Sequence, residues 1–388
     1  LHDPFLLSGM EAAVERLLRA REHAETVVVV GDYDVDGVTA TALLSAVLRA
    51  HGVRVETVLP HRLHDGYGFQ SNQVKKALEL DAAVIVTVDC GTTSAPAITE
   101  ALAAGLDVIV TDHHLPGDDF PDGAVQVNPR LADCSYPFAD LCGAGIALKL
   151  AQALGHRSGR EIPLAPLLRI AALGTVADVV PLVGENRAIA ALGLQALGAT
   201  SSEGLRALFE VAGVRAPLSS YDIGYRLGPR INAAGRLDSA EAALELLLCR
   251  DRARAEELAE HLDAHNRERQ GEERRVVDEA RGAVLERGEL PGVLRLWSRD
   301  WHRGVVGIAA GRLAREFHRP TLLLADEGET ATGSGRSVSG ISLHAVQRPF
   351  AERYRRFGGH DMAVGLTVAS RDLESTRALL EEAAVWPA

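Results

Sequence analysis

Short runs of β-branched residues alternate with amphipathic segments through the first 130 residues, and this alternation constrains the fold more than any other feature. Four apolar runs predict buried strands: residues 27–30, 53–59, 83–88 and 107–110. Helical patterns fill the intervals: residues 38–50, 72–80 and 95–104. Strands and helices that alternate at this length form right-handed βαβ crossovers, which predict a parallel sheet covered by helices on both faces.

The rest of the chain predicts a second, smaller α/β domain. Residues 143–212 are helical in pattern and rich in Ala and Leu, and residues 239–286 form a charged stretch typical of one or two long, exposed helices. A second alternating region follows. Its predicted strands lie near 292–297, 321–325 and 363–368, and its predicted helices lie near 304–317 and 342–356. We therefore expect two α/β domains joined by a long helical connector.

Composition bounds the class of protein. The 388 residues carry a net charge of −12, from 41 Lys+Arg against 53 Asp+Glu, which by itself argues against a nucleic-acid binder. The charge is uneven, however: residues 1–200 carry a net −10 and residues 201–388 a net −2. Four scattered cysteines and the lack of an apolar run of about 18 residues predict a cytoplasmic protein with no membrane association. Because the chain opens with Leu1, we expect further sequence at either end.

Four loops that bear acidic residues or His each follow an apolar segment. The loops are Gly31-Asp32-Tyr33-Asp34-Val35-Asp36-Gly37, Val88-Asp89-Cys90-Gly91, Thr111-Asp112-His113-His114 and Val176-Ala177-Asp178-Val179-Val180-Pro181. Three of them follow predicted parallel strands, whose carboxyl ends share one edge of the sheet, so we expect their side chains to converge. Crowded carboxylates with imidazoles suit Mn²⁺ or Mg²⁺, and their number allows two ions about 3.5–4 Å apart.

Two other interpretations apply to single loops. An Asp after a strand often caps the next helix, and a D-x-D-x-D-G loop resembles a calcium loop. The calcium interpretation requires Glu at the twelfth position, where this chain has Leu43. Four such loops in one sheet favour a metal centre over capping.

The motifs GDYDVDG, VDCG, VTDHH and ADVVPL, in this order, resemble the DHH phosphoesterase superfamily, and within it the RecJ branch of 5′-to-3′ exonucleases specific for single strands. The resemblance implies that Asp34, Asp89, His113 and Asp178 bind one ion. It implies that Asp32 and Asp89 hold the second, and that His114 contacts the scissile phosphate or assists proton transfer. Asp36 would orient the loop or lie outside the ligand set. Many relatives carry a His four residues before the first Asp. Val28 occupies that position in this chain, so the first ion would have fewer protein ligands, and we expect it to bind more weakly than in those relatives.

Two segments rich in Gly and Arg are candidate phosphate-binding loops: residues 227–236 (LGPRINAAGR) and 332–337 (TGSGRS), the second followed by Gly358-Gly359-His360. The alternatives are an Arg pair that bridges acidic residues of the first domain, and a simple turn at the Gly pair. Together these segments resemble the DHH-associated C-terminal domain. That resemblance implies nucleic-acid contacts from Arg230, Asn232, Arg236, Ser334, Arg336, Gly358, Gly359 and His360. The loop at 61–69, with Tyr67 and Phe69, suits either base stacking or closure of the sheet edge.

The resemblance also implies domains and a function. Residues 1–212 would form the DHH catalytic domain, 213–286 a phosphate-contacting loop and helical connector, and 287–388 the DHH-associated substrate-binding domain. The expected activity is metal-dependent hydrolysis of single-stranded DNA in repair and recombination, with single-strand-binding protein and a helicase as partners. One alternative is a phosphodiesterase of short oligonucleotides or cyclic dinucleotides, and another is a catalytically inactive replication scaffold. Relatives usually carry a further oligonucleotide-binding domain after this region.

Overall fold

The computed structural model describes residues 1–61, 68–117, 119–160, 163–237, 239–288 and 290–383. These residues form two compact units, Leu1–Asn266 and Arg267–Ala388. In the described part of the chain, none of the helices has the length and apolar character needed to cross a membrane.

The first unit contains the predicted parallel sheet. Its strands are β1 (Thr26–Val30), β2 (Arg54–Val58), β3 (Ala82–Val88), β4 (Asp107–Thr111) and β5 (Val125–Val127). They lie side by side in the order β2-β1-β3-β4-β5, and every neighbouring pair is parallel. The four strands predicted from the sequence are confirmed. The fifth has three residues and was not predicted, because so short a run carries little periodicity.

Helices cover both faces of this sheet, as the alternation predicts. The helices are α1 (Met10–Glu22), α2 (Val35–Ala50), α3 (Ser71–Glu79), α4 (Ala95–Ala103) and α5 (Gly143–Ser158). Successive strand residues point to opposite faces. Accordingly, Val27 and Val29 pack with residues of α1, α2 and α5, whereas Val28 and Val30 pack with residues of α3 and α4. The two apolar layers fix the direction of each strand, and therefore the place where each strand ends.

A helical layer completes the first unit. It contains α6 (Leu164–Ala177), α7 (Gly184–Gly198), α8 (Glu203–Ala212), α9 (Ser220–Asp222), α10 (Gly228–Leu237) and α11 (Glu241–Leu248), with a π-helical segment at Ile223–Leu227 between α9 and α10. Buried residues of these helices pack together with Val35 and Val38 of α2. Helix α12 (Arg252–Glu286) follows, so the charged stretch forms one short helix and one helix of 35 residues.

The second unit has a mixed sheet. Its strands are β6 (Leu294–Ser298), β7 (Thr321–Asp326), β8 (Thr330–Arg336), β9 (Arg356–His360) and β10 (Ala363–Ala369), in the order β6-β7-β8-β10-β9. Only β6 and β7 pair in parallel among these strands. Its helices are α13 (Arg303–Phe317), α14 (Leu343–Gln347) and α15 (Leu373–Ala383). The helix predicted near 342–356 is wrong in extent, because α14 gives way to a 3₁₀ segment, Arg348–Arg353, and then to β9.

Candidate metal centre

Three strand ends bring acidic and His side chains to one edge of the first sheet. Asp32 and Asp34 follow β1, Asp89 follows β3, and His113 follows β4. One carboxylate oxygen from each of Asp32, Asp34 and Asp89 lies within 4.8 Å of the others, and so does one ligand atom from each of Asp89, Asp112, His113 and His114. The structure therefore brings together the residues that the sequence singled out on these three loops.

The fourth loop joins the same site from a helix. Asp178 is the C-cap of α6, and its carboxylate, with those of Asp36 and the ring of His113, forms a third group within 4.8 Å. The next residue, Val179, has a φ of 63°, and Asp89 has a φ of 61°. Left-handed backbone is costly for residues other than Gly and tends to persist at functional sites. Both turns aim a carboxylate into the cluster.

Asp89 and His113 form the centre of the cluster. His113 Nε2 lies 3.1 Å from Asp89 Oδ1, 3.8 Å from Asp178 Oδ2 and 3.9 Å from Asp36 Oδ2. Although His113 Nε2 and Asp89 Oδ1 face each other at 3.1 Å, they do not meet hydrogen-bond geometry, and among the described residues neither buried atom has another hydrogen-bond partner. Buried polar atoms without hydrogen bonds are rare and call for an explanation, of which a bound ion is one.

The protonation equilibria show how crowded the site is. Burial, followed by the charges of Asp36, Asp34 and Asp32, raises the pKa of Asp89 well above its usual range. Burial and the charges of Asp36 and Asp34 raise the pKa of Asp178 to about 8. Burial lowers the pKa of His113, which favours the neutral, ligating form of the ring. A cation bound here would stabilise the charged carboxylates and lower their raised pKa values. The residues present therefore fit a divalent metal.

Asp112 fixes the loop that carries the two His residues. Its Oδ1 accepts hydrogen bonds from the backbone N–H of His113 at 2.8 Å and from Nδ1 of His114 at 2.7 Å, and its Oδ2 accepts one from Thr92 N at 3.0 Å. Burial opposes ionisation of Asp112, but these hydrogen bonds outweigh it and lower its pKa to about 2. Burial would lower the pKa of His114, yet the bond to Asp112 and the surrounding negative charges raise it. Asp112 therefore orients His114 and favours its protonated form.

Asp36 has a structural role that the sequence did not reveal. Its carboxylate accepts hydrogen bonds from Gly143 N at 2.6 Å and Ala144 N at 2.9 Å, so it caps the first turn of α5. A Cβ at Gly143 would lie only 2.5 Å from Cβ of Asp89, so only Gly fits there. The hydrogen bonds to Asp36 hold the start of α5, and the lack of a side chain at Gly143 lets this helix pack directly against Asp89.

Capping, the alternative interpretation of the first loop, also applies in part. Asp34 Oδ1 accepts a hydrogen bond from Gly37 N at 3.1 Å and so caps α2, yet the same residue belongs to the acidic cluster.

Val28, which stands where many relatives have His, is fully buried in an apolar layer. Arg130 was not predicted from the sequence, although its positive charge lowers the pKa values of both His113 and Asp178.

The first phosphate-binding candidate is a helix rather than a loop, which corrects the prediction. Residues 227–236 lie in the π-helical segment and α10, with Gly228 and Pro229 at the start of α10, where Pro is tolerated. Arg230, Asn232 and Arg236 all lie on this helix. Arg230 donates to Asp263 at 2.8 Å and to the carbonyl of Arg226 at 2.7 Å. The alternative was an Arg pair that bridges acidic residues of the first domain, whereas these contacts join Arg230 to one acidic residue, Asp263 on α12.

The second candidate is also not a loop. Ser334 and Arg336 lie on β8, and Gly358, Gly359 and His360 lie on β9. Through β10, Ser334 aligns with Gly358 and Arg336 aligns with His360, and residues paired across an antiparallel sheet share a face. These four residues therefore occupy one face of the sheet, and Ser334 and Arg336 lie next to α13: a Cβ at Gly307 would lie 3.2 Å from Ser334 Oγ and 3.4 Å from Arg336 Nη2.

Gly359 has a role within its own sheet. Its φ is 135°, and a Cβ there would lie 2.3 Å from the carbonyl oxygen of Ala363, so the close approach it permits is that of β10. In the loop at 61–69, Phe69 is buried in the apolar layer beneath α3, which matches closure of the sheet edge. Tyr67 lies outside the described residues.

Comparisons with known proteins agree with this architecture. The family model described as the DHH family, N-terminal domain, matches residues 26–175, and the DHHA1 domain matches residues 291–385. The single-stranded-DNA-specific exonuclease RecJ of Salmonella typhimurium is 42% identical over 95% of this chain and 68% of its own length. The chain belongs to the RecJ family. The RecJ protein of Bacillus subtilis is 38% identical over 99% of this chain, which spans 48% of that relative.

A solved RecJ structure has the same fold. The crystal structure of RecJ from Thermus thermophilus in complex with Mn²⁺ matches with a TM-score of 0.87 and 35% identity, over 98% of this chain and 55% of that one. A further structure of the Thermus protein contains Mg²⁺. The chain thus spans about half the length of these longer RecJ proteins, and both domains expected from its motifs are present.

Proposed function

We propose that the chain is a metal-dependent exonuclease that hydrolyses phosphodiester bonds of single-stranded DNA from the 5′ end, in DNA repair and recombination. The observation that carries the proposal is the position of Asp89, which belongs both to the group with Asp32 and Asp34 and to the group with His113. A carboxylate shared by two groups of ligands can join two ions. The substrate is inferred from the names of the RecJ relatives, and the metals are inferred from RecJ structures in complex with Mn²⁺ and Mg²⁺.

The residues divide into two ligand sets. Asp34, Asp89, His113 and Asp178 would hold one Mn²⁺ or Mg²⁺, and Asp32 would share the second with Asp89. Ions held there would supply an activated water as nucleophile and positive charge near the phosphate and the leaving oxygen. No covalent intermediate on the protein is required.

The chain's own groups would supply position and a proton. His114 Nδ1 lies 2.7 Å from Asp112 Oδ1, which orients the ring, and the charged ring would contact a phosphate oxygen or give a proton to the leaving oxygen. Arg130 adds positive charge beside the carboxylates. Asp36 acts through α5 on Asp89 and is a positioning residue. In the second unit, Ser334, Arg336 and His360 would contact backbone phosphates, and Gly358 would let the strand approach, because no described atom lies within 4 Å of the place its Cβ would occupy.

In the first unit, Arg230, Asn232 and Arg236 are weaker candidates for substrate contact. Arg230 already has intramolecular partners, and a nucleic-acid contact would compete with them. We also propose a helicase and a single-strand-binding protein as partners, because an enzyme restricted to single strands needs a duplex separated and its strands kept apart.

Digestion of end-labelled oligonucleotides tests the proposal. We expect degradation of a single strand in Mn²⁺ that stops when the 5′ end is blocked, that continues when the 3′ end is blocked, and that is absent on blunt duplex. Asp89→Ala and His113→Ala should abolish it and leave the fold intact by circular dichroism. Degradation of a strand with a blocked 5′ end would refute the polarity. Faster cleavage of dinucleotides than of long strands would instead favour a phosphodiesterase of short oligonucleotides.

A further inference from the structure

Two tyrosines form an exposed stacked pair in the first unit. The ring centroids of Tyr221 and Tyr225 lie 4.7 Å apart with an interplanar angle of 24°. Tyr221 is 59% exposed and Tyr225 is 70% exposed. Within the described residues, no other Phe, Tyr or Trp is exposed to this degree. Large aromatic surfaces are normally buried, so an exposed pair calls for a ligand that covers it.

The backbone beneath the pair is well anchored. Tyr225 lies in the π-helical segment, between Ile223 and Leu227, which are both fully buried in the helical layer. Asp222, beside Tyr221, accepts hydrogen bonds from Ser219 and pairs with Arg226 at 3.2 Å. The π-helical geometry is rare and frequently marks functional sites. The rings are thus presented to solvent from a fixed support.

The same segment leads directly to the metal centre. Three residues after Tyr225, a Cβ at Gly228 would lie 3.8 Å from Cβ of Ala177, the residue before Asp178. Further along α10, a Cβ at Gly235 would lie 2.5 Å from the carbonyl oxygen of Tyr33, which stands between Asp32 and Asp34. The helix that follows the tyrosines therefore packs against two of the loops that carry the carboxylates.

Two further exposed apolar residues follow Asp178 in the chain. Val179 is 84% exposed and is held in left-handed backbone, and Val183 is 56% exposed. A β-branched residue with positive φ is an outlier, and such strain tends to persist where a side chain is needed in one place. An exposed apolar side chain thus directly follows Asp178 in the chain.

We propose that Tyr221 and Tyr225 form a stacking platform for an unpaired nucleobase close to the scissile phosphate. This inference rests on the proposed function and adds a contact to it. Aromatic side chains stack on any base, and each stacked base contributes about 1–3 kcal/mol. In a duplex the faces of internal bases are already covered by their neighbours, so the platform favours single strands without reading sequence. The surface of two rings is also far smaller than the roughly 1,200 Å² that a stable protein–protein interface buries. This difference favours a base over a protein partner.

Fluorescence of 2-aminopurine tests the contact directly. The probe is a single strand with 2-aminopurine at successive positions from the 5′ end, bound to the full chain carrying Asp89→Asn to prevent cleavage. Stacking on the tyrosines should quench the probe at one or two positions. The Tyr221→Ala/Tyr225→Ala double variant should lose that quenching, and Tyr221→Phe/Tyr225→Phe should keep it. Equal quenching in the alanine double variant would overturn the proposal.

Kinetics in the active chain give an independent test. The alanine double variant should raise the KM for single strands by about 5- to 150-fold and change kcat little. The matched control is Leu78→Ala, an exposed apolar residue on α3, which should behave as wild type. An abasic site at the quenched position should weaken the wild type by the same factor and have no further effect on the double variant.

The outcomes separate this inference from the proposed function. If the wild type degrades single strands and the double variant has the same KM, the platform is refuted and the proposed function stands. If the double variant is impaired equally on intact and abasic strands, the rings contact the sugar-phosphate backbone or support the fold rather than a base, and the platform is refuted. If the wild type neither binds nor cleaves single strands, both proposals fail.

Discussion

Gly143 tests whether the position of Asp89 governs activity, without removal of any ligand. In Gly143→Ala, the new Cβ would lie 2.5 Å from Cβ and 2.8 Å from Oδ1 of Asp89. Carbon atoms in contact stay about 3.5–4.0 Å apart, so Asp89 or α5 must move by about 1 Å. A shift of that size at a reacting centre costs about 10²-fold in rate.

The assay is the initial rate of single-strand degradation in saturating Mn²⁺, together with Mn²⁺ affinity by calorimetry. We expect the rate of Gly143→Ala to fall by about 10²-fold, with weaker Mn²⁺ binding and an intact fold. The matched control is Gly145→Ala, in the same helical turn, where the nearest atom to the new Cβ is Leu141 Cδ2 at 3.3 Å. That variant should keep the wild-type rate. Wild-type activity and Mn²⁺ affinity in Gly143→Ala would show that Asp89 does not need its position, and would refute the reasoning.

Two further predictions concern stability. In the metal-free protein, Asp178 has its pKa raised to about 8, so the folded state retains a proton that the unfolded chain has lost. Unfolding should become easier as pH rises from about 4 to about 8, by up to about 1.4 kcal/mol per pH unit, and thermal melts in chelator should show this slope, reduced in Asp178→Asn. Separately, Lys149 and Glu185 form a buried pair 3.0 Å apart. Lys149→Met leaves the Glu185 charge buried and should cost about 3–5 kcal/mol in denaturant unfolding, and an unchanged midpoint would contradict the buried pair.

The sequence predicted that these acidic and His side chains converge, because parallel strands fix where their ends meet. The Val run of β1 and the apolar runs of β3 and β4 determine three strands. Side chains that follow such strands must gather at the carboxyl edge. Asp178 could not be placed in this way, since it ends a helix, and only the family resemblance brought it to the site.

Contacts between distant parts of the chain were beyond sequence reasoning. The carboxylate of Asp36 meets backbone N–H groups of Gly143 and Ala144, more than 100 residues later in the chain. No local pattern announces such a contact. Gly143-Ala144-Gly145 lacks the third Gly of a dinucleotide-binding fingerprint, and the structure places Gly143 against Asp89, where a Cβ would clash.

Two Gly-rich segments were predicted to be loops, but one forms a strand and the other a helix. The sequence at 332–337 indicates a Gly-rich loop because Gly is unfavourable in strands, yet inward and outward positions alternate through β8 and the strand pairs on both sides. Only Gly fits at position 333, because a Cβ there would lie 2.5 Å from the carbonyl oxygen of Leu323. At Gly228-Pro229 the turn signal is equally strong, but the pair lies at the start of α10, where Pro costs little.

The number of Mn²⁺ ions bound per chain tests the central claim most directly. Calorimetric titration of the wild-type chain should give two equivalents of Mn²⁺, and Asp89→Asn should weaken both, because Asp89 belongs to both ligand groups. Asp32→Asn should remove one equivalent and leave the other. A single ion in the wild type that survives Asp89→Asn would contradict a shared carboxylate, and with it the proposed two-ion mechanism.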